Sequence, residues 1–176
     1  MTTPIRKVPG SGMQSYTHGK IESTVPTAHM WTDASYKKGT MGLGIVLLPN
    51  NTNTPTTWVV RCKEQGHDST QAELHAINFA VRQAHASGHT SIVLHTDASM
   101  AIWHASRNSV GYDVMPALRT ALDSMDCVQL RWVARERNEM ANALSRMALS
   151  LPYSYAASMA MKHSLPQRVN DWSPGM

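Results

Sequence analysis

Two segments with the same ending constrain the fold of this chain more than any other feature. Residues 30–35 and 94–99 each run from apolar residues into the tetrapeptide Thr-Asp-Ala-Ser. Each segment predicts a buried strand that delivers one aspartate, Asp33 or Asp97, to solvent at its carboxyl end. Parallel neighbouring strands bring such ends to one edge of a sheet, where the active sites of open α/β sheets lie. The two segments therefore predict a sheet with two aspartates at one edge.

A glutamate lies between these aspartates in the sequence. The segment Ser69-Thr70-Gln71-Ala72-Glu73 predicts the start of a helix. Hard cations such as Mg²⁺ take oxygen ligands, and two such ions can activate a water and stabilise a leaving oxygen at a phosphodiester. Asp33, Glu73 and Asp97 are thus candidate metal ligands. A purely structural alternative is that Thr70 and Glu73 form a capping box and that the aspartates belong to turns.

Hydrophobic periodicity predicts an α/β architecture: a five-stranded mixed sheet flanked by helices. Short connections make the first three strands an antiparallel meander, and the later strands follow in parallel βα units. The predicted strands are residues 30–36, 41–48, 57–63, 91–96 and 127–133. The predicted helices are residues 70–87, 99–105, 114–125 and one after Asn138, with Leu144, Met147 and Ala148 on its inner side.

The two ends of the chain differ from its middle. Residues 1–28 are rich in Thr, Ser, Pro and Gly and predict a flexible leader. Residues 29–150 predict one domain. Residues 151–176 form a C-terminal extension of unknown role, in which residues 154–162 are compatible with a short helix.

The composition indicates the type of binding partner and the cellular compartment. The net charge of +4 favours an anionic partner, although the excess charge lies mainly at the two ends. Cys62 and Cys127 make no disulfide framework, so a reducing, intracellular compartment is expected. We expect neither a signal peptide nor a membrane span, since no apolar run is long enough.

Four segments, in order, resemble the type 1 ribonuclease H family, including the ribonuclease H domains of retroelement reverse transcriptases. These segments are residues 32–35 before a glycine-bearing hairpin, 71–77, 94–99 and 132–146. The resemblance covers about residues 30–150 and implies cleavage of the RNA strand of RNA–DNA hybrids by two Mg²⁺ ions, which Mn²⁺ can replace. It implies that Asp33, Glu73 and Asp97 are catalytic metal ligands.

The fourth ligand position departs from the family pattern. The resemblance places a carboxylate where this chain has Asn142, in the final helix. An amide oxygen can ligate a hard cation but brings no negative charge, so affinity for the second metal should fall. A slow enzyme, an inactive paralogue and an engineered change all remain open. Many members also carry a histidine in the preceding loop, for which Glu136 is a candidate substitute.

Candidate substrate contacts also follow from the resemblance. Hydroxyls and amides that match minor-groove positions of the family could contact the 2′-hydroxyls that distinguish RNA from DNA. Asp97 and Asn142 are only 45 positions apart, which leaves no room for the basic protrusion of some members. Binding would then depend on loops, tails or a partner such as a reverse transcriptase. The candidate contacts are Ser35, Ser69, Thr70, Gln71, Arg135 and Arg137.

Two other functions compete with hybrid cleavage. A non-catalytic ribonuclease H-like module that binds nucleic acid or protein would explain Asn142. An integrase-type nuclease is disfavoured, because such sites usually carry their glutamate last in the sequence. A zinc site at His85 and His89 is also disfavoured, since the pair straddles Gly88 and no cysteine pair accompanies it.

Overall fold

The computed structural model describes residues 14–20, 25–63, 68–151, 155–158 and 167–168. The strands of these residues form a single mixed sheet of eight strands. The strands are β1 (Ser15–Gly19), β2 (Ala28–Lys37), β3 (Thr40–Pro49), β4 (Thr56–Lys63), β5 (Ser91–Thr96), β6 (Cys127–Trp132), β7 (Tyr155–Ser158) and β8 (Gln167–Arg168). The helices are α1 (Ser69–Ala86), α2 (Ser99–Arg107), α3 (Met115–Asp123) and α4 (Glu139–Ser150), with a 3₁₀ turn at Arg135–Arg137 before α4.

The strand order is β1-β6-β5-β2-β3-β4-β7-β8, and the five predicted strands are its central five. Strands β2, β3 and β4 are antiparallel, whereas β5 runs parallel to β2 and β6 parallel to β5. The predicted α/β fold class and mixed topology are therefore confirmed. The predicted count of five strands is too small, because strands from both ends of the chain extend the sheet.

The prediction of a flexible leader over residues 1–28 is wrong for Ser15–Gly19. This segment is β1 and pairs antiparallel with β6, from Ser15 opposite Arg131 to Gly19 opposite Cys127. Tyr16 packs against the hydrophobic core, and His18 Nε2 lies 2.8 Å from Asp123 Oδ1. Short polar strands at sheet edges carry little hydrophobic periodicity, so the sequence pattern did not reveal this one.

Toward the opposite edge, β7 pairs antiparallel with β4, and β8 pairs antiparallel with β7. The expectation of a short helix over residues 154–162 is therefore wrong for Tyr155–Ser158. Strand pairing satisfies the backbone groups along the outer edge of β4, which a helix in this place would leave to water. Residues 152–154 and 159–162 lie outside the described residues.

One face of the sheet carries the hydrophobic core beneath α1, α2 and α3. Leu74, Ile77 and Phe79 of α1 are fully buried in this core. Asp68 caps α1, because its side chain accepts a hydrogen bond from the Gln71 backbone N–H at 2.9 Å. The capping-box interpretation of Thr70 and Glu73 is therefore wrong. Glu73 lies in the second turn, where no cap requires its carboxylate.

The other face of β2, β3 and β4 is covered by α4 through small residues. Ala141, Ser145 and Ala148 of α4 are fully buried. A Cβ atom added to Gly44 of β3 would lie 2.1 Å from the Ala141 carbonyl oxygen, so helix and strand backbones are in close contact. This close packing requires glycine in the strand.

The predicted inner side of this last helix is only partly right. Ala148 is fully buried as predicted, whereas Leu144 is half-buried and the side chain of Met147 is 48% exposed. The fully buried side chains of α4 are all small: Ala141, Ser145 and Ala148.

Candidate metal centre

Asp33 and Asp97 reach one place because their strands are parallel neighbours. The register pairs Trp31 of β2 with His95 of β5, and each aspartate follows two positions later. Asp33 lies within β2, opposite Gly44, and is 6% exposed, so the prediction that it faces solvent at a strand end is wrong. Asp97 comes directly after the end of β5, where the Thr96 hydroxyl accepts a hydrogen bond from the Ala98 backbone N–H at 3.1 Å. The local turn thus directs Asp97 toward the side of the sheet where Asp33 lies.

Glu73 joins the two aspartates from the second turn of α1. One carboxylate oxygen from each of Asp33, Glu73 and Asp97 lies within 4.8 Å of the others. Glu73 Oε2 is buried and has no hydrogen-bond partner among the described residues. The structure thus brings together the three carboxylates that the sequence singled out.

Burial and mutual repulsion destabilise the charged forms of two of these carboxyl groups. Burial raises the pKa of Glu73 well above its ordinary value, and the charges of Asp33 and Asp97 raise it further. Burial also raises the pKa of Asp33, although the Ser145 hydroxyl lowers it by hydrogen bonding. A bound cation would relieve both effects, because it favours the ionised carboxylates.

The donor set fits a hard divalent cation. It consists of carboxylate oxygens, which Mg²⁺, Mn²⁺ and Ca²⁺ prefer, and holds no imidazole or thiolate. The partnerless Glu73 Oε2 supplies a buried acceptor that a cation would satisfy.

Helix α4 supplies the remaining wall of the centre. Asn142, at the fourth ligand position that the resemblance implies, lines the same cleft as the three carboxylates. Three positions further along the helix, Ser145 Oγ donates to Asp33 Oδ2 at 2.8 Å. Asn138, just before the helix, donates from Nδ2 to the Thr32 carbonyl oxygen at 2.9 Å. These contacts of Asn138 and Ser145 could not be predicted from the sequence, because partners more than 100 positions apart leave no local signal.

The carboxylates lie in an open cleft of about 530 Å³. Four predicted substrate contacts line it: Ser35, Ser69, Thr70 and Arg135. Arg146 also lines the cleft and was not predicted; its spacing of four from Asn142 places both on one side of α4. The cleft therefore combines an acidic floor with two cationic side chains at its walls.

Two predicted substrate contacts lie elsewhere. Gln71 is fully buried, and its Nε2 lies 3.2 Å from His75 Nε2. Its position two residues before Glu73 turns the side chain away from the cleft. Arg137 lines a neighbouring apolar cleft with Trp31 and Met140 instead.

Two further polar side chains, neither of which lines the cleft, have partners of their own. The guanidinium of Arg107 stacks on the Trp103 ring, 4.7 Å from its centroid, and Trp103 packs against the core. His89 Nδ1 lies 2.8 Å from the Thr27 hydroxyl.

The topology and the acidic cleft define a ribonuclease H-like fold. The chain belongs to the reverse transcriptase-like family, whose model matches residues 31–148. No curated protein sequence matches the chain.

Solved structures with this fold include cellular and viral proteins. RNase H1 from Halobacterium salinarum NRC-1 matches with a TM-score of 0.61 and 22% identity, over 69% of this chain and 96% of that one. LC11-RNase H1 in complex with an RNA/DNA hybrid matches with a TM-score of 0.55 and 15% identity, over 70% and 99%. The protease-reverse transcriptase of prototype foamy virus matches with a TM-score of 0.54 and 16% identity, over 77% of this chain and 23% of that one. These matches confirm the ribonuclease H-like fold.

Across the described residues, every helix is too short or too polar to cross a membrane.

Proposed function

We propose that this chain is a metal-dependent endoribonuclease that cleaves the RNA strand of RNA–DNA hybrids. The observation that carries the proposal is the convergence of Asp33, Glu73 and Asp97 in an open cleft of a ribonuclease H-like fold. A ribonuclease H1 of the same fold has been solved with an RNA/DNA hybrid, which supports the choice of substrate.

Asp33, Glu73 and Asp97 would hold two Mg²⁺ ions, for which Mn²⁺ could substitute. When bound, the ions would activate a water and stabilise the leaving oxygen of the scissile phosphodiester. Asn142 would contribute a neutral amide oxygen as a fourth ligand. Because it brings no charge, the second ion should bind more weakly than it would to an aspartate.

The remaining residues of the cleft would bind and orient the substrate. Arg135 and Arg146, which line the cleft, would supply cationic partners to the phosphates that flank the scissile bond. Ser35, Ser69 and Thr70 would offer hydroxyls to the 2′-hydroxyls of the RNA strand. Glu73, close to this polar wall, would hold a cation and contact the RNA.

Asn142 also supports a second function, a non-catalytic module that binds nucleic acid or a protein. In that case the cleft would bind a hybrid without cutting it. A reverse transcriptase is the proposed parent or partner in either case, supported by the family model and by the foamy virus match. The domain limits 29–150 and an intracellular location remain predictions.

Cleavage of a labelled RNA–DNA hybrid in Mg²⁺ or Mn²⁺ tests the proposal. Asp33→Asn should lower the rate by at least about 10²-fold, because ligand loss costs several kcal/mol of transition-state stabilisation. Asn142→Asp should raise the rate or lower the Mg²⁺ concentration required. Duplex DNA and duplex RNA of the same sequence are the control substrates.

The outcomes separate the candidate functions. Cleavage by the unaltered chain that Asp33→Asn abolishes supports the enzyme. If only Asn142→Asp cleaves the hybrid, Asn142 is the residue that inactivates an otherwise complete catalytic site. Hybrid binding without cleavage by either protein favours the binding module. Absence of both binding and cleavage contradicts the choice of hybrid as substrate.

A further inference from the structure

Two buried polar side chains, one just before α4 and one within it, contact the segments that carry Asp33 and Asp97. Asn138 and Ser145 are seven positions apart, which is two helical turns, and Asn142 lies between them. Asn138 is 2% exposed and Ser145 is fully buried. Buried polar groups are costly unless they are hydrogen-bonded, so their partners indicate why they are there.

Ser145 contacts Asp33 directly. Ser145 Oγ lies 2.8 Å from Asp33 Oδ2 and 2.8 Å from the Asn142 carbonyl oxygen. A serine hydroxyl has one proton, so it donates to one of these acceptors at a time. A bond to a charged carboxylate is roughly twice as strong as a bond between neutral groups, which favours Asp33. Ser35 Oγ, 2.9 Å from Ser145 Oγ, can donate to Ser145 and leave its proton for Asp33.

Asn138 links the two segments that carry the aspartates. Its Nδ2 donates to the carbonyl oxygen of Thr32, the residue before Asp33, at 2.9 Å. The same nitrogen lies 3.4 Å from Asp97 Oδ1. One amide therefore contacts the backbone next to one aspartate and the carboxylate of the other.

We propose that Asn138 and Ser145 are positioning residues that fix the carboxylates of Asp97 and Asp33 relative to each other before any cation binds. The role of the cation rests on the proposed function, whereas the positioning is a property of the metal-free protein. The asparagine and the serine thus give α4 a role apart from the ligand position at Asn142.

The first test measures Mn²⁺ affinity of the full chain by isothermal titration calorimetry. Ser145→Ala should raise Kd about tenfold, since loss of a group that orients a metal ligand typically costs 10–100-fold in affinity. Ser150→Ala is the matched control, because Ser150 Oγ donates to the Met147 carbonyl oxygen of the same helix but contacts no carboxylate in the described structure. Its Kd should stay within twofold of the unaltered protein. Equal Kd values for the two serine variants would overturn the proposal.

The second test is the crystal structure of metal-free protein, with and without each substitution. Ser145→Ala should displace or disorder the Asp33 carboxylate by more than about 0.5 Å, the tolerance of a productive site. Asn138→Ala should do the same to the Asp97 carboxylate, which would lose its contact with Nδ2. Unmoved carboxylates in Ser145→Ala would overturn the positioning role even if Asn138→Ala does not fold.

The two tests distinguish failure of the proposed function from failure of the positioning role. Failure of the unaltered chain to bind Mn²⁺ would contradict the proposed function, while the metal-free crystals would still decide the positioning role. Mn²⁺ binding that Asp33→Asn abolishes and Ser145→Ala leaves unchanged would support the metal centre and overturn the positioning role.

Discussion

The two faces of the sheet are packed in different ways. The face beneath α1 buries large apolar side chains such as Phe79, whereas the face beneath α4 sets small side chains against the backbone of Gly42 and Gly44. Large buried side chains contribute stability roughly in proportion to their area. Close backbone packing instead fixes the position of α4, whose Ser145 contacts Asp33. One face thus mainly supplies stability, and the other mainly sets the geometry of the acidic cleft.

Removing a large side chain from the α1 face should give the largest loss of stability. Phe79→Ala should lower the free energy of unfolding by about 3–5 kcal/mol, because it removes a fully buried ring and leaves a cavity. Urea denaturation measures the loss. The folded fraction should keep the Mn²⁺ Kd of the unaltered protein, and a raised Kd in folded Phe79→Ala would contradict the separation of the two faces.

Adding one methyl group on the α4 face should affect both stability and the cleft. In Gly44→Ala the new Cβ would lie 2.1 Å from the Ala141 carbonyl oxygen and 2.6 Å from the Ser145 backbone nitrogen. Helix α4 must move, which should lower the free energy of unfolding by about 1–3 kcal/mol, as urea denaturation would measure. The same movement should raise the Mn²⁺ Kd, as calorimetry would measure.

Gly88→Ala is the matched control for this methyl group. Gly88 has φ +87° and open space around its Cβ position, so alanine there is strained but meets no neighbour. The expected cost is roughly 1–2 kcal/mol, with an unchanged Mn²⁺ Kd. Equal Kd values for the two alanine variants would contradict a geometric role for the α4 packing.

A smaller effect should appear in the pH dependence of stability. Burial, with the charges of His29 and Arg131, lowers the pKa of His95 from 6.5 to about 4. The unfolded chain therefore takes up a proton near pH 6.5 that the folded chain accepts only near pH 4, so His95 contributes stability that is lost as the pH falls between these values. The raised pKa values of Asp33 and Glu73 act in the opposite direction.

The difference between the unaltered protein and His95→Asn isolates the histidine. Urea denaturation in the presence of a chelator, from pH 7.5 to 4, measures the free energy of unfolding of both proteins. The variant lacks the His95 contribution, so it should lose less stability than the unaltered protein as the pH falls below 6.5. Parallel curves over the whole range would contradict the lowered pKa.

The sequence predicted the parts of this molecule that depend on local pattern. The apolar segments around Asp33 and Asp97 predicted parallel strands, and the order of elements predicted the mixed sheet. The outer strands β1, β7 and β8 were not predicted, because β1 and β7 pair with strands distant in sequence. Gln71 was wrongly predicted to contact substrate because the resemblance alone suggested it. A residue two positions before Glu73 lies on the opposite side of α1. Asn138 and Ser145 could be found only from contacts across more than 40 positions.

The most direct test of the metal centre is anomalous scattering from crystals soaked in Mn²⁺. An anomalous peak bounded by the carboxylates of Asp33, Glu73 and Asp97 is the expected result, with a weaker second peak near Asn142. Crystals of Asp33→Asn, soaked identically, should show a reduced peak. A cleft that stays empty at millimolar Mn²⁺, in crystals whose carboxylates are ionised and accessible, would contradict the assignment of this cluster as a metal centre.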